Sequence, residues 1–164
     1  MELLFAILLC LFFLMVYIIG QMYFEMDKEK SRAINFVNKM IEPLDEWVTH
    51  TVELAGSPVA SPKLADALQT MAENYFNCEK NKLKKIPLVN SMAELSEPLA
   101  AAAAGTEAGL ILKARADAAA GLGMLRIGYN QSVRMLNGYL MKRGSAAVGK
   151  LFGMSSLEKL CDLS

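Results

Sequence analysis

The unbroken run Leu3 to Ile19 (LLFAILLCLFFLMVYII) is apolar or aromatic at every position, and Met22, Tyr23 and Phe24 extend it past Gly20 and Gln21. A helix that crosses a bilayer needs roughly 17 to 25 such residues at about 1.5 Å of rise each, so this run can span with the help of its flanks. Tyr17 and Tyr23 suit the headgroup level at its distal end. A cleaved signal peptide would carry a positive start, a shorter apolar stretch and a small-x-small cleavage site. Here Glu2 stands at the start and bulky residues fill the position of the cleavage site. The run therefore reads as a retained anchor rather than a signal peptide or a buried core helix.

Orientation follows from the flanks. Lys28, Lys30 and Arg32 come after the run and only the terminal amine precedes it, so the positive-inside rule leans the remainder of the chain to the cytoplasmic side. With residues 1–24 assigned to the anchor, about 140 residues remain, a usual size for one compact unit. The hydrophobic share of 54% is high for a soluble protein, and much of the excess sits in the anchor and in alanine. Lys plus Arg and Asp plus Glu are balanced at 17 each, so no net field draws the molecule to nucleic acid, and none is expected as a partner. Cys10, Cys78 and Cys161 are odd in number and show no CxxC spacing, which argues against a disulfide framework or a zinc site.

Beyond the anchor the apolar spacing is helical throughout. Ile34, Val37, Ile41, Leu44, Val48 and Val52 alternate by three and four, one stripe of a helix that is continuous with the anchor or follows it. Pro43 inside the pattern predicts a kink or a break, and Gly56, Ser57 and Pro58 a stop. Ser61 as N-cap and Pro62 at the first helical position predict a second helix to about Lys84, with the stripe Leu64, Leu68, Met71, Tyr75 and Cys78. Its exposed face carries Asp66, Glu73, Glu79, Lys80 and Lys82.

Asn90 or Ser91 with Glu94 has capping-box spacing and predicts a third helix, closed by Gly105 after the alanines 100–104. Thr106 then caps the longest soluble helix, Glu107 to about Met141, with Leu122, Leu125, Tyr129, Val133, Leu136 and Leu140 on one face. Gly109, Gly121, Gly123, Gly128 and Gly138 each weaken that helix by about 1 kcal/mol relative to alanine, while permitting close approach of a neighbour. A short segment from Ala146 to Phe152 follows, and Ser155 with Glu158 predicts a short tail helix over 155–164. No stretch alternates with period two long enough for a strand. The expected fold is all-α: an N-terminal transmembrane helix, then an antiparallel three- to four-helix bundle over 25–154.

Residues that could carry chemistry are few. His50 is the one histidine and lies off the Val48/Val52 stripe, so it reads as solvent-facing, and no Glu-x-x-His pair exists for a di-iron bundle. Gly121-Leu122-Gly123 lacks the lysine and the preceding strand of a phosphate loop and reads as a packing feature. The methionines, among them Met40, Met71, Met92, Met124, Met135 and Met141, suit core filling more than an adaptable groove. Lys80, Lys82, Lys84 and Lys85 read as a solvated helix end more than a lipid contact, and Asp45-Glu46-Trp47 as a helix interface. No cofactor, metal or catalytic residue is expected.

The stretch Tyr129-Asn130-Gln131-Ser132-Val133-Arg134-Met135-Leu136-Asn137, followed by Ala146 to Met154 with Phe152-Gly153, resembles the C-terminal signature of the LemA family. Ala114-Arg115 earlier in the same helix and Ile86-Pro87-Leu88 before the third helix are similar to the family too. The family's arginine-rich segment after the membrane helix is replaced here by Ala33 to Lys39, and its Phe-Pro near the end of the long helix by Leu140-Met141-Lys142. The resemblance implies a bacterial, membrane-anchored bundle with no catalytic residues to carry over, and a structural signature of Tyr129, Asn130, Val133, Asn137, Phe152 and Gly153. Asn130 and Asn137, seven apart, line one edge of the helix, where their amides need partners; the returning segment 146–153 is the expected one. The functional expectation is a non-enzymatic interaction or scaffold module that meets the lipid bilayer and an unidentified protein partner. The alternative is a self-assembling subunit, a homo-oligomer with its N-terminal helices packed together.

Overall fold

A computed structural model describes residues 2–78 and 81–163. Glu79 and Lys80, expected on the second helix and in the basic cluster, lie outside the described residues. The chain is all-α: α1 (Glu2–Ala55), α2 (Pro62–Asn77), a single 3-10 turn (Lys82–Lys84), α3 (Lys85–Ala103), α4 (Gly109–Met141) and α5 (Arg143–Leu151), with no strand among the described residues.

The apolar run and the first bundle helix are one element, long and apolar enough at its N-terminal end to cross a membrane. α1 runs 54 residues, about 80 Å at the helical rise. Its large side chains from Leu3 to Ile18 are 44% to 76% exposed, and burial begins only at Met26. Pro43 does not break it. One hydrogen bond is lost there, but Gly121 of α4 faces the proline, since a Cβ built on that glycine would lie 3.9 Å from Pro43 Cβ. Flanking buried positions hold the helix together across the gap.

The buried seam of α1 is Ala33, Val37, Met40, Leu44, Trp47, Thr51 and Leu54. This is a correction to the expected stripe, because Ile34 is 37% exposed and Ile41 and Val52 are only half-buried. The seam is turned toward α4, which packs antiparallel along α1. Gly128 stands against Phe36, Gly121 against Pro43, and Arg115 over Trp47, with the guanidinium carbon 4.7 Å from the ring. Glycine at 128 permits this close approach, because an added Cβ would overlap the tip of the Phe36 ring and force the ring to shift.

Other boundaries moved by short distances. α2 ends at Asn77 rather than near Lys84, and Lys82–Lys84 form the separate turn. Ser61 is the extended N-cap of α2 with Pro62 after it, although its hydroxyl makes no capping bond. The capping box at Asn90 or Ser91 does not exist. α3 begins at Lys85 with Pro87 in the first turn, where proline's missing N–H is tolerated. Ser91 Oγ donates to Pro87 O at 3.0 Å, an ordinary mid-helix contact. Gly105, at φ +83°, closes α3 as expected. Thr106 caps the connecting turn, accepting from Ala108 N–H at 3.2 Å, and α4 starts at Gly109, two residues later than expected.

α5 starts at Arg143, earlier than the expected Ala146, and stops at Leu151. Met154 N–H donates to Gly149 O at 2.8 Å and Gly153 N–H to Lys150 O at 3.3 Å, a Schellman closure that places Gly153 at φ +65°. The tail beyond it, expected as a short helix, has no regular secondary structure from Met154 to Leu163. A helix that short is marginal by itself, and the tail's backbone groups find other partners.

The main core joins α1, α2, α3 and α4 through Trp47, Leu68, Tyr75, Ile86, Met92, Leu122 and Val133, and it includes Leu160 and Leu163 of the tail. A smaller cluster of Met26, Leu136 and Val148 ties α5 to α1 and α4 near the apolar end.

Candidate functional site

The tail lies as an extended peptide between α3 and α4, held by side-chain amides. Asn137 Nδ2 donates to Leu157 O at 2.8 Å and its Oδ1 accepts from Leu157 N–H at 3.0 Å. Asn130 treats Leu160 identically, with both bonds at 2.8 Å. From α3, Asn90 Nδ2 donates to Lys159 O at 2.7 Å and to Glu158 Oε1 at 2.8 Å, while its Oδ1 accepts from Cys161 N–H at 2.9 Å. Tyr129 Oη donates to Glu158 O at 2.7 Å, and Arg126 Nη1 donates to Cys161 O at 3.2 Å beside an ion pair with Asp162.

The register follows from two repeats. Seven residues of α-helix advance about 10.5 Å, and three residues of extended chain about 9 to 10 Å. Asparagines seven apart on α4 therefore meet tail residues three apart, with the tail antiparallel to the helix. In a flat two-fold strand, residues three apart face opposite sides. Leu157 and Leu160 face the same helix edge, so this segment repeats every three residues, as a polyproline-type chain does. Leu157, Leu160 and Leu163 share that spacing, and Leu160 and Leu163 are buried in the core, with Leu157 packed beside them.

Each amide bond contributes about 0.5 to 1.5 kcal/mol net, and each buried leucine about 1.5 to 3 kcal/mol. The amides hold the main chain of the tail and its leucines enter the core, so the tail is fixed by its backbone and by its apolar residues at every third position. The Tyr129 phenol is pushed above its ordinary range, first by burial and then by the Glu158 charge, and it stays a donor to the tail. Burial likewise raises the Cys161 thiol.

The expected pairing of Asn130 and Asn137 with the segment 146–153 is corrected: both reach 157–160 instead. Val133 is buried beneath them. Phe152 and Gly153 lie outside the groove, with Phe152 tilted on Tyr23 at 4.5 Å between centroids and Gly153 in the turn after α5. Asn90 was missed as a clamp residue because Ser91 beside it, three residues before Glu94, suggested a helix start. The three-residue leucine repeat was the legible signal for this site.

Other candidates resolve into packing. Asp45 Oδ1 accepts from Tyr75 Oη at 2.6 Å and pairs with Lys85 Nζ at 3.4 Å, while that ammonium sits 4.1 Å over the Tyr75 ring. Burial, then the Asp45 bond, raises the Tyr75 phenol far above its usual range. Lys85 is thus buried, which corrects the solvated-end reading for that residue, whereas Lys82 and Lys84 are exposed and Lys82 bonds Asn38 Oδ1 at 2.9 Å at the surface. His50 Nδ1 lies 2.9 Å from Glu53 on α1. Met40 and Met92 are core, whereas Met124 and Met141 are 82% and 84% exposed.

Arg115 is 1% exposed, bonds Ser96 Oγ at 3.0 Å, and leaves Nε and Nη1 without partners; burial lowers its pKa. Among the described residues no three His, Cys, Asp or Glu side chains converge on a metal position, and the three cysteines are unbridged. No protein-family model, curated protein or solved structure matches this chain.

Proposed function

We propose that this chain is a membrane-anchored, non-enzymatic interaction module of the LemA type, in which α1 spans the bilayer and the α3–α4 groove holds an extended peptide. The observation that carries the reading is the clamp itself. Three asparagines make paired bonds to the main chain of a segment that has no secondary structure of its own. Such a surface takes a partner strand of the same leucine spacing without reading its other side chains. The chain's own tail occupies the groove in cis, at the high effective concentration of a short tether, so a partner competes against it. Three residues of the LemA-like signature (Tyr129, Asn130 and Asn137) bond the tail, and Val133 is buried beside them. The exposed apolar surface of α1 from Leu3 to Ile18 supports the anchor, since soluble surfaces rarely carry a patch of that size. Lys28, Lys30 and Arg32 support a cytoplasmic bundle.

The test is crosslinking in the native membrane with masses of all captured species, for the wild-type chain and for Leu160→Asp, which expels the tail. Greater capture of a distinct protein by the variant is the expected result. Equal capture by both chains refutes the groove as the recognition surface. Capture of only this chain, in large regular assemblies, replaces the reading by the self-assembling subunit.

A further inference from the structure

α5 packs where the apolar run of α1 ends. Counting about 30 Å of hydrocarbon from Leu3 brings the boundary to about Met22. A Cβ on Gly144 would lie 3.6 Å from Met22 Cε, and Phe152 stacks on Tyr23, so α5 is at that boundary. Between α5 and α1 an open apolar groove descends along Leu14, Ile18 and Met22, walled by Gly144, Ala147 and Val148. Its length along α1 suits a hydrocarbon chain lying beside the helix.

The charge on the α4–α5 corner beside this groove has one sign. From Gln131 to Leu157 the chain carries Arg134, Lys142, Arg143 and Lys150 and no carboxylate. Lys142, Arg143 and Lys150 are exposed at the two ends of α5. Of the nearby acids on α1, Glu25, Asp27 and Glu29, two are partly neutralised within that helix, Glu25 by Lys28 at 3.8 Å and Glu29 by Arg32 at 2.7 Å. Met141, Leu151 and Phe152 beside the cations are 84%, 73% and 49% exposed, an arrangement that suits the level where headgroups meet acyl chains.

We propose that the α4–α5 corner and the groove beneath it bind an anionic phospholipid, the phosphate held by Lys142, Arg143 and Lys150 and one acyl chain lying along Leu14, Ile18 and Met22. The inference rests on the reading that α1 spans the bilayer. It is independent of the asparagine groove. Each basic side chain near an anionic surface contributes about five-fold to local occupancy, so with screening of exposed charges an enrichment of about ten-fold is expected.

The experiment reconstitutes the full chain in nanodiscs of phosphatidylcholine and phosphatidylglycerol at about three to one, then transfers it to mild detergent and counts retained lipids by native mass spectrometry. Wild type is expected to retain phosphatidylglycerol about ten-fold above its supplied ratio. The triple variant Lys142→Gln, Arg143→Gln, Lys150→Gln should retain the two lipids at the supplied ratio, with helicity and melting unchanged because all three side chains are exposed. Ala147→Trp, which fills the groove, should lower retention of both lipids. Retention of the two lipids at the supplied ratio by wild type, or undiminished enrichment in the triple variant, overturns the lipid site while leaving the anchor intact. Release of wild-type chain from native membranes by alkaline carbonate overturns the anchor, and the lipid site with it.

Discussion

Replacing Asn130 with alanine removes a donor and an acceptor at one stroke, each of which makes a 2.8 Å bond to Leu160. Two net hydrogen bonds are worth about 2 kcal/mol together, and leaving the Leu160 N–H and C=O buried without partners adds about 1 kcal/mol or more each. The tail limits that penalty, because it can lift off and reach water at the expense of burying Leu160, which is 2% exposed, and Leu163. Releasing those two leucines costs about 1.5 to 3 kcal/mol apiece, so partial lifting at Leu160 is the cheaper response. The expected loss is about 2 to 3 kcal/mol, confined to the tail.

At about 1.4 kcal/mol per decade this corresponds to amide exchange at Leu160 faster by roughly 30- to 150-fold, read by hydrogen exchange. Leu157, held by Asn137, should quicken less, and the amide of Val133 in α4 should not change. Acceleration below about three-fold at Leu160 would refute the clamp as the source of its protection. Equal acceleration at Val133 would show that Asn130 supports the whole bundle rather than the tail.

Gly128→Ala should destabilise the bundle by about 1 to 3 kcal/mol, since its Cβ must displace the Phe36 ring, seen as a lower melting temperature. Gly123→Ala on the same helix meets nothing within 4 Å and should stabilise by up to about 1 kcal/mol, so a shift of the same sign in both would contradict the α1–α4 packing. Arg115→Met replaces a buried, under-partnered guanidinium by an apolar chain of similar length and should be neutral or stabilising by about 1 kcal/mol or more in denaturant titration. A large loss would reveal a partner for that charge. The Tyr75 phenol holds its proton in the folded state above the value it has when unfolded, so its contribution is complete below about pH 10 and is lost as pH climbs past it. Tyr75→Phe should therefore lessen the alkaline fall in unfolding free energy by about 1.4 kcal/mol per pH unit over that range.

Half of the clamp was legible. Asn130 and Asn137 share one edge of a helix by spacing alone, next to the stripe that holds Tyr129, and unpaired amides there demand partners. Their partner was not legible, because an amide bonds any main chain that comes near it, and which segment does so depends on how α5 turns the chain back. Asn90 shows the same limit. Its distance of 68 to 71 residues from Glu158, Lys159 and Cys161 leaves no local trace, whereas its neighbour Ser91, three residues before Glu94, imitates a cap.

The apolar run, the all-helical class and the ends near Gly56, Pro62, Gly105 and Met141 were determined by the sequence alone. Each depends on a sum over neighbouring residues or on the conformational limits of one glycine or proline, and these act before any distant contact forms. Only the tertiary structure decided which face of α1 is buried, since Ile34 and Val37 are equally apolar and the choice falls to Phe36 meeting Gly128 and Trp47 meeting Arg115. It also decided the state of the tail. Ser155 to Leu163 has the local makings of a helical turn, but paired side-chain amides on two packed helices offer its backbone groups partners at every third residue. A helix of that length could not retain those groups against them.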